Sequence, residues 1–234
     1  MRVRDMTWMQ VEDHLTRDDR CVLPLGSTEQ HAYLSLCTDA LLAERVAADA
    51  AEPLGVPVFP AVPYGLTPYF MAYPGTVTLR PETYERVVTE ILDSLWLHGF
   101  RRYLVVNGHG GNGAARPAVE GWAAALDGVQ LLWHDWWKAE RTLAAVHAVD
   151  RDASHGSWME GFAWTRVPGA SPPAGRKAPV DLSDRASLTP GAFRERIGDG
   201  SFGGYYERPD EELERIWAIG VEETRALLAS GWTS

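Results

Sequence analysis

Tyr103-Leu104-Val105-Val106-Asn107-Gly108-His109-Gly110-Gly111-Asn112 passes from four consecutive apolar residues into a loop of small and amide residues built around one histidine. An apolar run of this length with no polar alternation reads as a strand buried on both faces, the kind found in parallel sheets. The glycines leave room beside the imidazole for a metal or a substrate. A strand that ends this way lifts His109 onto the rim of a sheet, where α/β proteins carry their chemistry. A glycine-rich turn also serves simply as a turn, so the reading of His109 depends on the rest of the chain.

Outward from this junction, strands and helices alternate. Cys21 to Leu25 reads as a short strand, and Asp39 to about Ala51 as a helix with Leu41, Leu42, Val46 and Ala50 on one face. Val56 to Val62 reads as a strand that Pro57, Pro60 and Pro63 confine to an edge or to its ends. Pro81 to His98 is the clearest helix, because Tyr84, Val87, Val88, Ile91, Leu92, Leu95 and Trp96 recur at helical spacing and Gly99 closes it. Helices are further expected over Asn112 to Leu126, roughly Trp158 to Val167, and Asp210 to Leu228, with a strand over Val129 to His134. The stretch Gly169 to Pro179 reads as an exposed loop, after which ordered sequence resumes at Leu188 to Ile197. The expectation is a single domain over residues 1–234, a three-layer α/β/α arrangement around a mostly parallel sheet, with function at the carboxyl ends of its strands.

Composition narrows the functional classes. The 22 Lys and Arg residues against 32 Asp and Glu give a net charge of -10, and no stretch gathers the basic residues into a stripe that tracks phosphates. Nucleic acid is therefore excluded as a partner. Apolar runs are strand-sized and the N-terminal stretch lacks an apolar signal core, so neither membrane insertion nor export is expected. Cys21 and Cys37 are the only cysteines, too few for a disulfide framework, which fits a cytoplasmic protein. Neither has an activating histidine at motif distance, which argues against cysteine nucleophilic catalysis. Of ten tryptophans, five fall between residues 120 and 160, and the cluster Trp133 to Trp137 reads as core or interface packing, with an aromatic cage as the alternative.

The polar residues at strand ends carry the chemistry. Gly26-Ser27-Thr28-Glu29-Gln30-His31 puts a carboxylate and an imidazole two residues apart, pointing the same way if the stretch is extended. Asp39 follows at the start of the next helix. Carboxylate, imidazole and carboxylate on one rim form the mixed oxygen and nitrogen set that Zn²⁺, Mn²⁺ or Fe²⁺ accepts. Taken singly, Asp39 also reads as a helix cap, Glu29 as a solvated loop residue and His31 as an ordinary polar side chain.

Together with Thr38-Asp39, Tyr73-Pro74-Gly75-Thr76 and Asn107-Gly108-His109-Gly110-Gly111-Asn112, in this order and spacing, the Gly26 to His31 segment resembles the creatininase family of creatinine amidohydrolase-like proteins. The resemblance spans roughly residues 20 to 165. It implies an α/β hydrolase of non-peptide C–N bonds in cyclic or linear amides. It also implies a binuclear centre, Zn²⁺ with Zn²⁺, Mn²⁺ or Fe²⁺, that holds the attacking hydroxide, a small-molecule amide substrate, and a homo-oligomer, typically a hexamer. By the matching motifs Glu29, His31, Asp39 and His109 would be metal ligands, Asp39 bridging the ions. Ser154-His155-Gly156-Ser157-Trp158-Met159-Glu160 resembles the family's His-Ala-Gly segment with a Glu five residues after the His. Glu160 would then be the remaining ligand or a proton carrier, and His155 a proton carrier beside the metals. From local sequence alone, His155 equally reads as a capping residue at a helix start.

The surroundings of these residues depart from the family pattern. Relatives commonly continue the first ligands with His-Gly and Leu-Pro-Leu, where this chain has His31-Ala32-Tyr33-Leu34-Ser35-Leu36. They carry Glu-His ahead of the Phe-Pro-Gly-Thr turn, where this chain has Tyr69-Phe70-Met71-Ala72-Tyr73-Pro74-Gly75-Thr76. Thr-Ser usually follows the late Glu, where here Gly161-Phe162 follows. An aromatic, more apolar pocket is expected. The backbone amides of Gly110 and Gly111, at a helix start, are candidates to face an oxyanion. The alternative function is a non-catalytic or peptide-tail-processing relative acting in a biosynthetic pathway.

Overall fold

Side chains alternate across a strand, so a strand without polar residues needs an apolar partner on both faces. In the computed structural model, whose described residues are 1–232, that requirement fixes the layers. The elements run α1 (Trp8–Leu15), β1 (Arg20–Leu25), α2 (Thr38–Ala51), α3 (Pro81–His98), β2 (Arg102–Asn107), α4 (Arg116–Ala124), β3 (Gln130–Asp135), α5 (Glu140–Val149), β4 (Arg176–Lys177), α6 (Pro190–Ile197), β5 (Gly204–Tyr205) and α7 (Asp210–Ser230). Strands β1, β2 and β3 pair in parallel and in that spatial order, with Leu25, Asn107 and Asp135 level at their carboxyl ends. Val22, Leu104 and Val106 face a core completed by Leu42 and Val46 of α2, Val146 of α5, and Leu213, Ile216, Val221 and Leu228 of α7. Cys21, Leu23, Leu25, Tyr103 and Val105 face the other way, onto Tyr84, Val88, Leu92 and Leu95 of α3 and Val119 of α4. The sheet is thus sandwiched between helical layers, as expected.

The helix α3 has the bounds its sequence predicts. Pro81 occupies its first turn, where a missing N–H costs nothing, and Gly99 ends it in a left-handed conformation (φ 110°) with its N–H bonded back to Leu95 and Trp96. Its buried Val88 and Leu92 each contribute about 1.5–3 kcal/mol by leaving water.

Three sequence expectations are corrected. Val56 to Val62 is no regular strand: it lies along β1, with bonds from Val22 N to Pro57 O and from Val62 N to Pro24 O, but its prolines interrupt the ladder and leave isolated parallel bridges. The helix expected from Asn112 begins as a 3₁₀ turn over Gly110–Ala115 and is α-helical only over Arg116–Ala124. No helix spans Trp158 to Val167; a 3₁₀ turn over Trp158–Glu160 gives way to irregular turns. There Thr165 Oγ1 donates to the carbonyls of Glu160 and Phe162, and the Glu160 carboxylate folds back onto the Gly156 N–H, so local side-chain bonds replace a helical ladder.

Beyond these layers, residues 178–203 leave the body through the short antiparallel β4–β5 pair and carry α6. Phe193 and Ile197 of α6 form a small separate core with Phe70, flanked by Tyr73 and Phe202. No helix among the described residues is long and apolar enough to cross a membrane.

Candidate metal centre

Two glycines let the first turn of α2 lie directly on the strand ends. A Cβ on Gly26, just past β1, would come 2.3 Å from the Cα of Ala40, and one on Gly108, just past β2, would come 2.4 Å from the carbonyl oxygen of Asp39. No side chain fits in either gap, and the close approach places Asp39 between the Gly26–His31 loop and the Asn107–Asn112 loop. Its two oxygens then serve different imidazoles. Oδ1 lies 2.9 Å from His31 Nε2, while Oδ2 lies 2.9 Å from His109 Nδ1 and accepts the Ser27 hydroxyl at 2.8 Å. Asp39 is no helix cap: the N-cap of α2 is Cys37, with no capping side-chain bond, and the Asp39 carboxylate is used by these side chains.

Glu29 is buried beside this pair. Its Oε1 is 3.3 Å from His109 Nδ1 and 3.7 Å from His155 Nδ1. Glu160 reaches in from the 3₁₀ turn, its Oε2 accepting the Gly156 N–H at 2.7 Å. Three sets of donor atoms lie within 4.8 Å of one another: Glu29 with Asp39 and His109, His31 with Asp39 and Glu160, and Glu29 with His31 and His155. All six residues singled out in the sequence converge, with Asp39 common to the first two sets.

Each ring nitrogen facing the carboxylates is set by what the other nitrogen does. His109 Nε2 is 2.9 Å from the Leu66 carbonyl, and His31 Nδ1 is 3.2 Å from the Glu29 carbonyl. When those nitrogens carry the single N–H of a neutral ring, His109 Nδ1 and His31 Nε2 present lone pairs to carboxylate oxygens. That arrangement requires a cation or an additional proton between them. Glu29 Oε2 is moreover buried without a hydrogen-bond partner. Such an orphaned oxygen, beside imidazoles oriented by carbonyls, fits a divalent cation with oxygen and nitrogen ligands.

Without a cation, protons fill the gap. Burial disfavours the charged ring of His31, but the Asp39 carboxylate overrides it and raises the pKa to about 10; Glu29 and Asp39 likewise raise His109. Burial opposes ionisation of Asp39 as well, and His31 and His109 nevertheless hold it far below the usual carboxylate range. Burial pushes Glu160 up to about 7, and burial together with the neighbouring His31 lowers His155 to about 4.

His155 starts no helix. Its ring stacks on Phe70 (centroids 4.7 Å, 18°), packs against Phe202 at 4.8 Å, and meets His31 at 4.4 Å, while its Nε2 lies 2.9 Å from the Gln30 carbonyl. Phe70 and Phe202 give His155 aromatic neighbours. Phe202 had no sequence signal, being about 130 residues beyond the Phe70 loop. Gln30 stood inside the recognised motif, and its amide reaches both His155 and the carbonyl of Gly200. The Trp133–Trp137 cluster forms no cage: Trp136 is buried against Trp217 at 5.5 Å, and the indole of Trp133 donates to Asp135. Gly110 and Gly111 open a 3₁₀ turn rather than an α-helix, and Gly111 is pressed so closely on the Leu66 carbonyl that a Cβ would come within 1.9 Å.

The carboxylates and imidazoles gathered at the strand ends of this parallel α/β sheet form a cluster that could hold a divalent metal. The chain belongs to the creatininase family, whose profile, described as creatinine amidohydrolase, matches residues 4–227. Creatinine amidohydrolase of Pseudomonas putida is 34% identical over 115 residues, 46% of this chain and 44% of that one. The mycofactocin precursor peptide peptidase of Mycolicibacterium smegmatis is 36% identical over 143 residues, 57% of this chain and 53% of that one. The chain thus spans about half the length of these curated relatives. A crystal structure of creatinine amidohydrolase (creatininase) superposes with a TM-score of 0.79 at 22% identity over 100% of this chain and 98% of that one, which shows the shared fold. Solved creatininases of this fold include a manganese form and a Zn–Zn form.

Proposed function

We propose that the protein is a divalent-metal-dependent amidohydrolase that cuts a non-peptide C–N bond in a cyclic or linear amide. The observation that carries this reading is Asp39, whose two oxygens face two imidazoles already oriented by main-chain carbonyls. In this reading Glu29, Asp39 and His109 hold one cation and His31, Asp39 and Glu160 a second, with Asp39 shared. Two such ions, Zn²⁺ with Zn²⁺, Mn²⁺ or Fe²⁺, would supply a Lewis acid for the amide carbonyl and acidify water enough for it to attack near neutral pH.

The chain's own groups manage the proton. His155, held neutral by burial between Phe70 and Phe202, takes the proton released as water adds to the carbonyl carbon. When the C–N bond breaks, the nitrogen leaves with that proton, and the acyl carbon keeps the water oxygen. Glu160, whose carboxyl titrates near neutrality, takes over the transfer if it is not a ligand. The aromatic side chains exclude bulk water from this exchange.

A second substrate class has its own support: the identity to a mycofactocin precursor peptide peptidase covers more of this chain than the match to creatinine amidohydrolase does. Both classes are separated by assaying protein reconstituted with Zn²⁺ or Mn²⁺ against lactams, cyclic ureas, formamides and short peptides. Metal-dependent turnover of the first three groups supports the amidohydrolase; turnover of peptides alone supports tail processing. No turnover of any by a metal-loaded protein contradicts the catalytic reading.

A further inference from the structure

We propose that Asp135, at the carboxyl end of β3, is a positioning residue that aims the His109 loop at the metal centre. The inference rests on His109 being a ligand, as in the function proposed above. Asp135 touches none of the six clustered residues. It acts through Asn107, its level neighbour across the parallel β2–β3 pair.

Asn107 is fully buried and all of its amide is used. Its Nδ2 donates to Asp135 Oδ1 at 2.7 Å and to the His109 carbonyl at 2.8 Å. Its Oδ1 accepts the His109 N–H and Asn112 Nδ2, each at 3.2 Å. The amide thereby clamps both main-chain polar groups of His109. Turned over, it would set its oxygen against the Asp135 carboxylate and the His109 carbonyl, and its NH₂ against two donors. Asp135 Oδ1 is the acceptor that, together with the His109 carbonyl, fixes which way the amide lies.

Asn112 completes the frame. Its Nδ2 also donates to the Gly26 carbonyl at 3.0 Å, and its Oδ1 accepts the Leu66 N–H at 3.2 Å. The carbonyl of that same Leu66 receives His109 Nε2. The main chain of His109 and its ring Nε2 are therefore held by one connected network that ends on Asp135. The Trp133 indole, donating to Asp135 Oδ1 at 3.0 Å, fixes the carboxylate. This gives one residue of the tryptophan cluster a task beyond packing. Partners that orient a metal-binding histidine typically change metal affinity by about 10–100-fold when removed.

The test compares Co²⁺ binding by the full-length wild type, Asp135→Ala, Asp135→Asn and Trp133→Phe, using chelator competition and the visible absorption of bound Co²⁺. Asp135 is only partly buried, so its replacement leaves the core intact. Asp135→Ala is expected to weaken Co²⁺ binding by about 10–100-fold and to shift the absorption bands. Asp135→Asn keeps an acceptor for Asn107 and is expected to recover most of the affinity. Trp133→Phe removes the indole N–H that fixes the carboxylate and is expected to weaken Co²⁺ binding by a smaller factor than Asp135→Ala does. Unchanged affinity and spectrum in Asp135→Ala, or losses that simply follow melting temperature across the variants, overturn the positioning role. A wild type that binds no Co²⁺ defeats the metal reading beneath it, a different failure from the first.

Discussion

Gly108 lies against Asp39 so closely that a Cβ on the glycine would sit 2.4 Å from the aspartate's main-chain oxygen and 3.0 Å from the Ala43 side chain. Gly108→Ala must push the start of α2 away from β2. The expected cost is about 1–3 kcal/mol of stability, as for other overpacked sites. Metal content should fall with it, because Asp39 moves. Thermal melting and elemental analysis of one purified sample check both; a variant that melts and binds metal like the wild type contradicts the close-packing account.

His155 is near Glu29 and His31 but is assigned to the proton rather than to the metal. His155→Ala is therefore expected to keep its metal while turnover drops by about 10²–10⁴-fold. Side-by-side metal content and rate measurements decide. Loss of the metal would move His155 among the ligands, a place its distance from Glu29 does not forbid.

The chelated protein should lose stability as the medium turns alkaline. His31 in the fold titrates at about 10 against an ordinary 6.5, driven up by Asp39 in spite of burial. A raised pKa contributes stability in full below the unfolded value and loses it as pH climbs through the folded one. Melting temperature of the metal-free protein should accordingly fall from neutral pH to about 10. Metal binding should strengthen over the same rise, since ligands bind deprotonated. Calorimetry with and without Zn²⁺ measures this, and a metal-free melting temperature that climbs with pH would speak against charged histidines in the cluster.

Ala32, directly after His31, has φ 52°, a left-handed conformation that costs a non-glycine residue about 1–2 kcal/mol. Ala32→Gly relieves that strain but gives the unfolded chain about 0.4–1 kcal/mol more freedom. The expected net gain is roughly 0.5 kcal/mol. Ala32→Val, β-branched and wrong for this region, should destabilise instead. Denaturant titrations of both variants check the signs; a stabilising valine would show that the backbone relaxes there.

The sheet and its strongest helices were legible because their signal is local. Cys21 to Leu25 and Tyr103 to Val106 are apolar throughout, and Pro81 to His98 carries its own start and stop residues. The helices α1 and α5 went unread: α1 is only 8 residues long and begins with the exposed Trp8 and Met9, and α5 buries only Thr142 and Val146, so the apolar signal of each is short. The segment after Trp158 misled because its helical spacing of apolar residues serves core contacts from irregular turns. In the site, the residues carried by motif lie within one cluster. Those that come from far along the chain did not announce themselves: Phe202 reaches His155 only because the β4–β5 neck returns residues 178–203 to the cluster. Asp135 lies just past the strand expected over Val129 to His134, and its link to Asn107 exists only once β2 and β3 pair in register.

In the function proposed above, Glu29, His31, Asp39, His109 and Glu160 hold two cations across Asp39. The most direct measurement is metal content per chain, by elemental analysis of wild type and Asp39→Ala purified in parallel without chelator. About two transition-metal ions per wild-type chain, with few in the variant, is the predicted result. A folded wild type that carries no metal, and takes up none when Zn²⁺ or Mn²⁺ is added, would contradict the account.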